Sequence, residues 1–127
     1  MTDTYFGKEV ALTSHHNNAA IKINVLDESK MRDIGFTDIR PDTWYFCKYN
    51  VGHPDISFSL SVEKNNPENW EIDILDENFL QPYDYQMMLE RGTQNPLPLK
   101  VQEKVEYWMS YLAENGIVSG HNYGEYI

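Results

Sequence analysis

"DISFSLSVEKNNPENWEIDILD", residues 55–76, carries the most regular pattern in the chain. Ile56, Phe58, Leu60 and Val62 alternate with Ser57, Ser59, Ser61 and Glu63. A period of two puts the apolar set on one face of a β-strand and the hydroxyls on the other. Residues 64–69, "KNNPEN", read as a turn by composition. Beyond them Trp70, Ile72 and Ile74 alternate with Glu71 and Asp73 in the same way. Upstream, "TWYFCKYNV" (43–51) is rich in the aromatic residues that strands favour, and "GHP" (52–54) can reverse the chain. Three successive antiparallel strands with one wet face is the economical reading.

Working outward, "KEVALT" (8–13) and "AIKINVL" (20–26) predict two further strands joined by the loop "SHHNN" (14–18). Asp27 suits a helix N-cap, and Leu26 and Met31 occupy the two positions of a hydrophobic staple. A short helix is expected there, ended by Gly35. "TDIRPD" (37–42) reads as a loop, with Arg40 held extended by Pro41. Pro82 predicts the opening of a short helix running through Arg91 and closed by Gly92. Val101, Val105, Trp108 and Leu112 fall on one stripe of a longer helix, although Pro96 and Pro98 compete for its first turn. Gly116 fits the left-handed position after that helix, which would set Ile117 against Leu112. The tail "VSGHNYGEYI" (118–127) shows no element. This order predicts an α+β fold: an antiparallel sheet of about four to five strands packed against a C-terminal helix and one or two short helices.

The 127 residues suit a single globular domain spanning 1–127, and 41% hydrophobic against 24% charged residues argues against disorder. A single cysteine, Cys47, excludes an internal disulfide. The first residues show no basic region followed by an apolar run, and no stretch approaches the ~20 apolar residues of a membrane span. A soluble, cytoplasmic protein without membrane association is expected.

Charge is the most unusual bulk property. Ten Lys and Arg against twenty Asp and Glu give a net charge of −10, and residues 68–90 alone hold seven acids and no base. Such an excess repels phosphates and anionic head groups, so direct nucleic-acid binding is not expected.

Chemical signatures are missing. His15, His16, His53 and His121 lack zinc-ligand spacing, and "DILDENFLQPYD" (73–84) lacks the central glycine of a calcium loop. Glu71 and Asp73 do share a strand face, as a weak two-carboxylate magnesium site requires. "HPDISFSLSVEK" (53–64) invites comparison with restriction-type nucleases, but there an acid and a lysine are separated by one residue. Here Glu63 and Lys64 are adjacent and diverge. No nucleophile elbow or glycine-rich phosphate loop is present, and Cys47 reads as a packed strand thiol. No catalytic residue, metal or cofactor is expected.

The acidic stretch also interleaves aromatic residues, a type favoured at interface cores. Its candidate partner-binding residues are Glu71, Asp73, Asp76, Glu77, Tyr83, Asp84 and Tyr85. The first expectation is a non-catalytic interaction domain for a basic protein partner; immunity proteins, antitoxins and nucleic-acid-mimicking inhibitors share its size and charge. A second is a small-molecule-binding or enzymatic domain, its pocket between the sheet and the last helix, lined by Tyr45, Tyr49, Trp108 and Tyr111. A third is a structural homo-oligomer burying Trp44 and Phe46 against a second copy.

Overall fold

The computed structural model describes residues 21–120. The strand expected over 8–13 and the loop over 14–18 lie outside the described residues, as do residues 121–127 of the tail. Within them the elements run β1 (Lys22–Ile23), α1 (Glu28–Ile34), β2 (Thr43–Lys48), β3 (Ile56–Glu63), β4 (Asn66–Asp76), β5 (Gln81–Pro82), α2 (Tyr85–Glu90), α3 (Leu97–Glu114) and β6 (Val118–Ser119). The fold is α+β, as the alternation and the helical stripe predict. Strands β2, β3, β4 and β5 form one antiparallel sheet in that order, and β1 pairs with β6 in a second, two-stranded one.

The central strand decides the layering. Ile56, Phe58, Leu60 and Val62 are all buried, together with Trp44 and Phe46 of β2 and Trp70, Ile72 and Ile74 of β4. Helix α3 joins the same core through Val101, Val105, Met109 and Leu112. Phe46 sits at the centre of an aromatic cluster, its ring centroid 5.2 Å from Phe36, 5.9 Å from Trp108 and 6.2 Å from Tyr111. The Tyr111 hydroxyl donates to the Ile34 carbonyl at 2.7 Å, tying α3 to the end of α1. Helices therefore cover one face of the sheet.

Local signals place the helix ends. The Asp27 carboxylate accepts the Lys30 N–H at 2.9 Å, and Gly35 closes α1 at φ 125°. After α3, the Gly116 N–H reaches the Ala113 carbonyl at 3.1 Å and the Ile117 N–H reaches that of Leu112 at 2.9 Å. That is the double bond pattern of a Schellman cap, and Ile117 and Leu112 are both wholly buried. At the other end Asn95 resolves the competition between the two prolines. Its side-chain oxygen accepts the Leu97 N–H at 3.0 Å, leaving Pro98 within the first turn, where no intrahelical N–H bond is needed.

Four expectations change. The turn over 64–69 is really a tight Lys64–Asn65 reversal followed by an irregularity. Glu63 pairs with Asn66, yet Val62 pairs with Trp70. Residues 67–69 are thus extra on β4, and an odd insertion exchanges the faces of everything beyond it. Without it Trp70 would lie opposite Ser59 on the wet side. Second, Pro82 opens no helix; it pairs with Leu75 in β5. Helix α2 starts at Tyr85 because the Asp84 carboxylate caps the Met87 N–H at 3.1 Å. Third, the tail begins with a strand, since Val118 pairs with Ile23 and Ser119 with Lys22. Last, the strand expected over 20–26 is only two residues long where described. Beyond it, the Leu26 N–H turns toward the Met31 sulfur at 3.4 Å as α1 begins.

Gly52, in the loop between β2 and β3, lies close against the backbone of α3. It has φ +82°, and a Cβ there would stand 2.8 Å from the Val101 nitrogen. Gly116 has the same φ but open space around it. Gly52→Ala is expected to cost about 2–4 kcal/mol, combining left-handed strain with a backbone clash. Gly116→Ala is expected to cost only the strain, about 1–2 kcal/mol. Urea unfolding midpoints of the two variants check the difference.

Candidate functional site

The face of the sheet opposite the helices presents the remaining side chains in cross-strand rows. One row is Tyr45, Ser61 and Glu71; the next is Cys47, Ser59 and Asp73. Directly opposed residues lie about 5 Å apart, so each row forms a continuous band across three strands. The serines on the middle strand are short, while Tyr45 stands on one side and Glu71, Asp73 and Leu75 on the other. A cleft of about 480 Å³ results, closed at its Thr43 end by Ile39 and Arg40 of the loop before β2. Ile39 is 89% exposed at its lip. A smaller recess of about 150 Å³ adjoins it, where Arg40 faces Glu63, Asn69 and Glu71.

Loop 37–42 is positioned by backbone pairing. Thr37 and Tyr45 exchange both N–H···O bonds at 2.8 Å, and the Thr43 N–H donates to the Arg40 carbonyl at 3.1 Å. Behind it Asp38 is held between two cations, Lys64 at 2.8 Å and Arg32 at 3.0 Å. The Lys64 and Arg32 hydrogen bonds, in that order, hold the Asp38 carboxyl below its ordinary value against an opposing effect of burial. The Lys64 ammonium also lies 4.2 Å from the Trp44 ring centroid, covering the edge of the core.

The cleft carboxylates are treated differently. Among the described residues no lysine or arginine lies within ion-pair distance of Glu71 or Asp73. Burial, and then repulsion from Glu71, pushes the Asp73 carboxyl up to about 6. Across the sheet, burial and then the neighbouring Cys47 push the Tyr45 hydroxyl above its ordinary value. The site therefore offers two negative groups, hydroxyls on its floor and apolar flanks at Tyr45 and Leu75. No group of three metal-ligating side chains occurs among the described residues.

The seven candidate residues do not share one patch. Glu71 and Asp73 face the cleft. Glu77 lies further along the same face, accepting the Ser57 hydroxyl at 2.6 Å. Asp76 belongs to the other face by register, and its carboxylate accepts the Asn78 N–H at 3.0 Å. Tyr83 is half-buried at a separate small recess with His53, Phe79 and Leu97. Asp84 caps α2, and Tyr85 is wholly buried, so its ring belongs to the core rather than to a surface.

The layering also places the residues named for the two other readings. Tyr45 lies on the open face and Tyr49 is exposed, whereas beneath the sheet Tyr111 stacks on Phe46 and Trp108 meets it edge-on. These four residues are thus divided between the two sides of the sheet. Trp44 and Phe46 are 3% and 0% exposed within their own core, so neither is free to bury against a second copy. Ser59, Ser61, Ile39, Arg40 and Leu75 were not anticipated as site residues. For the serines and Leu75 the signal is the strand register, which sets Ser61 beside Glu71, Ser59 beside Asp73 and Ser57 beside Leu75.

No protein-family model matches the chain. No curated protein sequence matches it either. In fold the chain is similar to a DUF1831-family protein from Lactobacillus plantarum, with a TM-score of 0.59 over 77% of this chain and 82% of that one. The two are 12% identical, so the likeness is one of fold alone.

Folding raises the affinity of Asp73 for its proton. Its contribution to stability is thus fully present below the unfolded carboxylate pKa of about 4 and is lost as pH rises through about 6. Asp73→Asn is expected to be more stable than the parent at pH 7.5 by about 1–2 kcal/mol after allowance for solvent screening, and to lose that advantage by about pH 4. Urea unfolding of both proteins across this range checks the sign. An NMR titration of the Asp73 carboxyl carbon is expected to show its midpoint falling in Glu71→Gln.

Proposed function

We propose that this chain is a non-catalytic interaction domain that binds a basic protein partner through the open face of its sheet. The observation that supports this reading is the pair Glu71 and Asp73 in a formed cleft, with no lysine or arginine within ion-pair distance among the described residues. In the same fold Asp38, on the loop before β2, is held between two cations, so the fold does pair carboxylates elsewhere. A net charge of −10 would steer a basic partner toward the domain, and exposed Ile39 and Tyr49 would add apolar contact once it arrived. Cys47, the one thiol, is half-buried in this face and hydrogen-bonded with the Tyr45 and Tyr49 hydroxyls.

The test is affinity capture from native lysate at low and high salt, followed by association kinetics with the captured protein. The double variant Glu71→Gln with Asp73→Asn is expected to slow association by about tenfold at low salt and to flatten its salt dependence. A partner held equally well in high salt, or one indifferent to the double variant, overturns the reading.

A further inference from the structure

The cleft is selective in shape as well as in charge. Its floor, Ser59 and Ser61, is too short to fill the gap between β2 and β4. Its walls are the Tyr45 ring on one side and Leu75 beside the two carboxylates on the other. Apolar flanks that end on carboxylates match a side chain with an apolar stem and a cationic head. Arg40 closes the Thr43 end and has no ion-pair partner among the described residues. A positive group is repelled at that end and drawn to Asp73, two residues further along β4. Exposed Ile39 extends the apolar surface beyond the cleft, where a free small cation would have nothing to cover.

Resting on the interaction reading above, we propose that the cleft seats one lysine or arginine side chain of the partner, its stem between Tyr45 and Leu75 and its head at the Asp73 end. Arg40 acts as the selector that fixes this direction. Neutralising it is therefore expected to tighten binding, while neutralising Asp73 weakens it. A general attraction between a basic partner and an acidic surface has no such site dependence.

The probe is acetylated pentalysine amide, titrated into the isotope-labelled protein and followed by backbone amide shifts. Saturable shifts confined to residues 59–61 and 71–75 are expected. Asp73→Asn is expected to weaken binding about tenfold and Arg40→Gln to tighten it about threefold. Glu114→Gln makes the same charge change as Asp73→Asn at the far end of α3 and is expected to stay within about twofold of the parent. Scattered shifts, an equal loss in Glu114→Gln, equal binding of the acetyl-lysine peptide or no saturable binding overturns the proposal. Spermidine binding more tightly than the peptide assigns the cleft to free polyamines and overturns it as well. The two experiments fail separately. Salt-sensitive capture with peptide shifts elsewhere removes the cleft alone, and local peptide binding with salt-insensitive capture removes the interaction reading.

Discussion

Burial of one face of β3 governs the rest of the molecule. Ile56, Phe58, Leu60 and Val62 are at most 2% exposed. Each such side chain contributes roughly 1.5–3 kcal/mol on leaving water, so a register that exposed all four would forfeit most of a small domain's net stability. With this face committed to the core, α3 and α1 can pack only there. Among the described residues no layer covers the serine face. The cleft is thus a consequence of the same alternation that builds the core, and its position follows from the pairing of β3 with both neighbours.

The extra residues 67–69 extend this constraint to β4. Because the insertion is odd, it restores Trp70, Ile72 and Ile74 to the core side and sends Glu71 and Asp73 to the open side. A hairpin continuing regularly from the Lys64–Asn65 turn would have placed Glu71 opposite Phe58, an uncompensated carboxylate in the core at a cost of several kcal/mol. Pro67 belongs naturally in such an irregular segment, since it has no N–H to contribute to a regular ladder. One local departure in the strand therefore makes both the hydrophobic layer and the acidic wall.

The strands that alternate, the caps at Asp27 and Gly116, and the layered α+β arrangement were all legible in the residues. The alternation and the caps are local, set by spacings of five residues or fewer, and the order of elements they define points to the layering. What escaped is set by pairing at a distance. Val118–Ser119 is too short to read as a strand until Lys22–Ile23 lies beside it. Pro82 reads as a helix start, and only the Asp84 cap three residues earlier than Met87 shows where the helix truly begins. In the site, composition found the acids of β4 but not the Ser59 and Ser61 floor, and it assigned Tyr45 to a pocket on the helix side of the sheet. It also grouped Asp76 and Tyr85 with Glu71, although strand parity and core packing send them elsewhere.

Asp73 shows what the open cleft costs. Asp38 demonstrates that this fold can compensate a carboxylate, using Arg32 and Lys64 from two different elements. Asp73 instead ionises against burial and against Glu71, which makes the charged form a burden on the free protein. Asparagine at the position would relieve that burden while keeping nearly the same volume. A cation arriving from outside relieves it too, because the attraction it offers is strongest where water has already been displaced. On the proposed association the energy held against folding would be returned, so among the described carboxylates Asp73 is well placed to gain from a partner.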